Sequence, residues 1–393
     1  MKNRIEWIDT IKAIGIFLVF YGHYVESLYY LEGDSGVTYV QYKFIYSFHI
    51  PLFFIVSGFT AKQQRVSLIF IRKIFFQRLI PVFSFAILFV PLWLIYNRFK
   101  GEGMIRTVVE KGFAYLGGQP QLNFMTWFLI CLFTTEFIAT CSGIDLRKKT
   151  RNVVIGSGLI LAGYLITDNI VSIAIYTRLA LNFWFLHESI IALGFYLIGN
   201  STYTLLTSLS AYNKNIFYVA LSVSLAFIWL SATYLYEPDI VIMSLSKHGT
   251  FVSFFTNALL GSAFIISIGL LIPPNKVTNY LGANTLILLG LNGAFFHFIN
   301  SYIAKWSLTE HSWWYITFNC TLTTIISLLI CVPFVTIINR YFPQFFGKPD
   351  ADGPLLKPLH TYAVFRFLQA KEPDLLHDTQ LTSGFKDVVP NKP

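Results

Sequence analysis

Charged residues make up only 12% of this 393-residue chain, too few to clothe a soluble domain of that length. Cysteine is scarce as well. Cys131, Cys141, Cys320 and Cys331 fall in or at the ends of apolar runs and form no CxxC pair. They read as packing residues, neither a zinc site nor a disulfide framework. No HExxH, P-loop, GxSxG or GxGxxG stretch occurs, which leaves zincin, NTPase, serine-hydrolase and Rossmann readings without support. The net charge of +9 comes from loops between apolar runs. Basic residues are not interleaved with aromatics on a soluble module, so no nucleic-acid partner is expected.

What is abundant is apolar and aromatic: 55% hydrophobic residues, 18% aromatic, and a mean hydropathy of +0.58. Runs long enough to cross a bilayer lie near 8–30, 43–60, 80–96, 123–141, 152–168, 181–199, 216–235, 251–272, 284–302 and 314–338. The expected fold is all-α, a polytopic membrane protein with a bundle of about ten transmembrane helices. The first run carries Asp9 and Lys12 and lacks a small-residue cleavage site, so it reads as a retained span and not a signal peptide. Between the second and third runs, Arg72, Lys73 and Arg78 punctuate an apolar stretch, as in a helix lying in or entering the interface. Pro81 is expected to mark the turn into the third span. No internal repeat is visible. Residues 1–341 form one membrane domain, and the proline- and charge-rich residues 342–393 form a short cytoplasmic tail, with a surface helix around 362–368.

Basic loops set the orientation. Lys62, Arg65, Arg72, Lys73, Arg78 and Arg147–Lys149 fall on the side of the N-terminus, which places both termini in the cytoplasm. The 97–122 loop, with Arg98, Lys100, Arg106 and Lys111, runs against that bias.

Ionisable groups inside a membrane helix are costly and therefore point to function. Lys12 and His23 share the first span. Eleven residues is close to three full turns, so both project from one face, roughly 16 Å apart along the axis. Glu26, three residues beyond His23, lies on the same face and can orient the imidazole. A neutral imidazole there can act as general base on a hydroxyl; the alternative is a packing histidine bonded to a neighbouring helix. Lys12 can hold phosphate as a point charge or snorkel to headgroups. His49 enters the second span at a depth similar to His23, either to share proton transfer and substrate binding or as an interfacial residue. Arg72, Lys73 and Arg78 form a basic collar, either a phosphate clamp or headgroup contacts. Ser57–Gly58 indicates close helix packing or a helix end. Glu136, His187, Glu188, Asn292 and His297 are further buried polar candidates that spacing does not rank.

Asp9, Lys12 and His23 resemble the Arg/Lys-x10-His signature of the acyltransferase-3 family of integral membrane O-acyltransferases. So do Phe48-His49-Ile50-Pro51-Leu52-Phe53-Phe54-Ile55-Val56-Ser57-Gly58-Phe59 and Arg78-Leu79-Ile80-Pro81. Thr126-Trp127-Phe128-Leu129, Phe195–Gly199 and Tyr280–Leu286 are similar to its later motifs, and the match is nearest to the fucose 4-O-acetylase-like branch. The resemblance covers about residues 4–347. It implies a ten-helix bundle of the bacterial inner membrane that moves an acyl group, typically acetyl, from cytoplasmic acetyl-CoA to a hydroxyl. The acceptor is a cell-surface glycan or lipid-linked sugar. It further implies His23 as the essential histidine, Lys12 as its cationic partner and Arg78 as the arginine near the start of the third span. On our reading of the residues, Glu26 or His49 assists His23, Lys12, Arg72 and Arg78 bind the CoA phosphates, and no metal is expected. Two positions depart from the pattern: Phe75 stands where many members carry an earlier arginine, and Asn292 where many carry a late-helix histidine. The rival function is a membrane exporter of a glycan precursor or acylated small molecule. It is disfavoured by the lack of the paired, broken-helix halves common in transporters.

Overall fold

The computed structural model describes residues 5–33, 36–101, 104–169, 182–210, 240–359 and a few positions between 218 and 229. Among the described residues every regular element is helical, apart from an isolated bridge between Ile242 and Lys247. Nine helices among the described residues are long and apolar enough to cross a membrane: α1 Glu6–Glu32, α2 Val37–Phe59, α3 Leu68–Lys100, α4 Phe124–Cys141, α5 Lys149–Asp168, α6 Phe183–Ser208, α7 Phe251–Leu271, α8 Thr285–Ser307 and α9 Trp313–Tyr341. Each coincides with an expected span. The remaining expected span, 216–235, and the expected surface helix at 362–368 lie largely or wholly outside the described residues.

The helix α1 is the centre of the bundle. Ile11, Ile16, Val19, Val25 and Leu28 are buried around its circumference, and α2, α7, α8 and α9 all pack on it. A helix apolar on every side belongs in a core, not at a lipid-facing surface. By contrast α3, α5 and α9 leave Ile87, Ile95, Val154, Leu165, Phe318 and Leu329 exposed, as expected of lipid-facing residues.

Where helices cross, small residues let backbones approach. A Cβ on Gly156 of α5 would sit 2.7 Å from the carbonyl of Gly194 in α6, and one on Gly58 of α2 would strike the Tyr196 carbonyl. The close packing expected at Ser57–Gly58 is thus present, and Asn200 Nδ2 reinforces it by donating to the Gly58 carbonyl at 3.3 Å.

Two local features differ from expectation. The chain does not turn at Pro81. Instead Leu68–Ile74 passes through a π turn at Phe75–Leu79 directly into Ile80–Lys100. The widened turn accommodates a proline that has no N–H for the helical ladder. The segment after α9 also folds back. Phe346 packs edge-on against Phe85 of α3 at 4.9 Å, and buried Gln344 donates to the carbonyls of Ala351 and Leu356.

Candidate active site

Along α1 three cavities follow one another. The first, about 550 Å3, opens near the N-terminal end and is lined by Lys12, Lys62, Lys73 and Arg78, with Glu136 as its one carboxylate. The second, about 210 Å3, is lined by His23, Glu26, Tyr46, His49, Trp127 and Phe296. Val19, Ile50, Phe128 and Leu289 line both and form an apolar neck between them. The third, about 820 Å3, lies past the C-terminal half of α1 at Tyr29 and Tyr30, and it shares Tyr30 and Ile242 with the second. From Lys12 to Tyr30 is eighteen residues, roughly 27 Å of helix, close to the thickness of a hydrocarbon core.

The second cavity holds the densest polar network. Glu26 is buried, and each of its oxygens is engaged. Tyr46 donates its hydroxyl to Oε2 at 2.7 Å. Tyr42 and Tyr30 donate to Oε1 at 3.1 and 3.5 Å. His23 Nδ1 lies 3.2 Å from Oε2 and 2.8 Å from the Tyr46 hydroxyl. Spacing of three residues on one helix places Glu26 under the ring, as the sequence indicated, and Tyr46 arrives from α2. The imidazole is also fixed edge-on against Phe296, at 5.1 Å between centroids. His49 faces the same cavity, but its Nδ1 is directed to the Ile45 carbonyl at 2.9 Å. Its ring packs at 4.6 Å on Tyr46, which stands between it and His23.

In the first cavity Arg78 meets Glu136 through two bonds, Nε to Oε2 at 3.2 Å and Nη2 to Oε1 at 2.7 Å. Lys12 lines the same cavity. Arg72 is not among the lining residues; Lys73, one position along the helix, is. Lys62 also joins the rim, on a loop held by Gln63 to the 144–146 backbone. Four cations, Lys12, Lys62, Lys73 and Arg78, thus line this one cavity.

The other polar candidates fall elsewhere. His297 Nε2 accepts from the Phe124 amide at 3.1 Å and so anchors the start of α4. Asn292 is fully buried in α8. His187 and Glu188 belong to a separate cluster with Ser246 and His248. Tyr42, Tyr46 and Lys62 take part in the two sites without having been singled out from sequence as site residues, whereas Lys73 belonged to the basic collar already noted there.

A family model described as an acyltransferase domain matches residues 5–332. Over 180 residues the chain is 28% identical to nodulation protein NolL of Sinorhizobium fredii, a stretch that covers 45% of this chain and 46% of NolL. The chain thus spans about half the length of that curated relative. No solved structure matches. The matched region runs from the start of α1 into α9 and contains all three cavities, so this integral membrane protein belongs to the acyltransferase family.

Proposed function

We propose that the protein is a membrane O-acyltransferase that moves an acyl group, acetyl by preference, from acyl-CoA to a hydroxyl of a glycan or lipid-linked sugar. The observation that carries this reading is the linear order along α1: a cation-lined cavity, an apolar neck, and a partly buried imidazole fixed by a carboxylate and a tyrosine. Four cations against one carboxylate suit the phosphates of CoA. The neck of Val19, Ile50, Phe128 and Leu289 suits the thin pantetheine arm and keeps water from the thioester. The N-terminal end of α1 is then the cytoplasmic side, and the acceptor meets His23 from the other face. The family as a whole favours acetyl over larger groups.

His23 serves as the base. The single hydrogen of Tyr46 goes to Glu26 Oε2, so the Tyr46 oxygen accepts from His23 Nδ1–H. That tautomer leaves the lone pair on Nε2. Nε2 takes the proton of the acceptor hydroxyl as its oxygen attacks the thioester carbon. The C–S bond then breaks, and the imidazolium returns the proton to the departing sulfur, giving the ester and free CoA. Glu26 stabilises the imidazolium between these steps. Arg78 and Glu136 hold each other in place, so Arg78 presents a fixed guanidinium edge to the donor. His49 acts by packing on Tyr46.

Mass spectrometry of envelope glycans from cells carrying the wild-type gene, no gene, or His23→Ala tests the proposal. A mass increment of one acyl group is expected with the wild type alone. The same increment with His23→Ala at equal protein level would overturn the assignment of His23.

A further inference from the structure

The third cavity has a lining unlike the first. Among the described residues its walls carry Tyr29, Tyr30, Tyr39, Tyr42 and Tyr164, and its charged lining groups are one carboxylate, Asp168, and one ammonium, Lys247. Resting on the acyl-transfer reading above, we propose that this cavity is a carbohydrate subsite. It would hold an uncharged pyranose unit adjacent to the one whose hydroxyl reaches His23.

The chemistry of the walls carries the class of ligand. A pyranose presents an apolar face of axial C–H bonds and a rim of hydroxyls. Tyrosine offers the matching pair, an aromatic face and a phenolic hydroxyl. Tyr29 lies 5.4 Å from Tyr30, 5.9 Å from Tyr39 and 5.2 Å from Tyr42 between ring centroids, so the rings form one continuous aromatic surface. Balanced charge at this end, against four cations and one carboxylate at the other, directs the anionic donor and a neutral acceptor to opposite mouths.

The floor is preorganised. It is the 242–247 hairpin, whose Ser246 holds a left-handed φ of 59°. His187 Nε2 meets Ser246 Oγ at 2.6 Å, and Ser246 Oγ donates to Asn182 Oδ1 at 3.0 Å. Next to it His248 Nε2 lies 3.2 Å from the fully buried Glu188, while its Nδ1 faces Thr167 at 3.4 Å. These residues are far apart in sequence, and their bonds hold a hairpin that would otherwise be loose. The same hairpin faces the His23 cavity with Met243, Ser244 and Leu245, and Ile242 lines both cavities. An oligosaccharide crossing at Tyr30 and Ile242 would rest one unit on the tyrosines and place the next at the imidazole.

The test is saturation-transfer NMR on the purified full-length protein in lipid nanodiscs. The probes are methyl glycosides of glucose, galactose and N-acetylglucosamine disaccharides, with methyl glucuronide as the anionic comparison. At least one neutral disaccharide should bind to the wild type, and more tightly than the glucuronide. Tyr39→Ala and Asp168→Asn should each weaken binding at least tenfold while keeping the thermal unfolding midpoint, and Tyr39→Phe should retain it. Absence of binding by every neutral probe at millimolar concentration, unchanged affinity in Tyr39→Ala and Asp168→Asn, or tighter binding of the glucuronide would overturn the subsite. Failure of the transfer reading is separate: it would appear as sugar binding that depends on Tyr39 together with acyl transfer that survives His23→Gln.

Discussion

Glu26→Gln should slow acyl transfer about a hundredfold without weakening the donor. The carboxylate receives three tyrosine hydroxyls and faces His23 Nδ1 at 3.2 Å. When Nε2 gains a proton, the ring becomes a cation beside that carboxylate. A hydrogen bond to a charged group contributes about 1.5–3 kcal/mol, or roughly ten- to a hundredfold in rate. A glutamine amide also turns an N–H toward the Tyr46 hydroxyl or toward Nδ1, which favours the wrong tautomer and moves the loss to the upper end of that range. Tyr46→Phe removes one bond to the ring and one to the carboxylate but leaves the direct contact between His23 and Glu26, so about a tenfold loss is expected. Tyr42 touches only the far oxygen, and Tyr42→Phe should cost no more than about threefold. The assay is the initial rate of label transfer from acetyl-CoA in membranes at matched protein level, paired with CoA affinity by calorimetry. Equal losses for Tyr42→Phe and Tyr46→Phe, or a Glu26→Gln rate within about threefold of wild type, would refute the orienting role.

The remaining predictions concern the donor cavity and the packing that shapes it. Lys12→Ala and Lys73→Ala should each raise the KM for acetyl-CoA about three- to tenfold, and the effect should shrink in high salt because point charges in an open cavity are screened. A salt-independent change, or none, would count against a phosphate role. Arg78→Ala strands Glu136 and should destabilise the protein by about 2 kcal/mol, allowing for partial exposure of the pair. Arg78→Met combined with Glu136→Leu should restore the unfolding midpoint in detergent but not donor binding. Gly58→Ala drives a methyl into the Tyr196 carbonyl and should cost about 1–3 kcal/mol, read as a lower midpoint.

The all-helical class, nine of the expected spans and the alignment of Lys12, His23 and Glu26 on one face were legible because they depend only on local composition and the 3.6-residue period. The partners of those residues were not. Tyr46 reaches His23 because Gly58 and Gly199 let α2 and α6 approach backbone to backbone, which sets how α2 sits in the bundle. Periodicity says which residues share a face and nothing about which neighbour that face meets. The π turn at Phe75–Leu79 likewise changes the helical phase between Lys73 and Arg78, which no sequence pattern announces. The 242–247 hairpin has neither helical nor strand period, and its pins, His187 with Ser246 and Glu188 with His248, bridge about sixty residues. No local signal announces such a contact.

The central claim is that one partly buried imidazole, reached by donor and acceptor from opposite faces, performs the transfer. Its most direct measurement is a pair of readings on His23→Gln in nanodiscs: CoA affinity by calorimetry, and label transfer from acetyl-CoA to envelope glycans. The account predicts donor affinity within about twofold of wild type and transfer lowered by at least about a hundredfold. Transfer at the wild-type rate, or movement of unmodified glycan across the membrane without release of CoA, would contradict it.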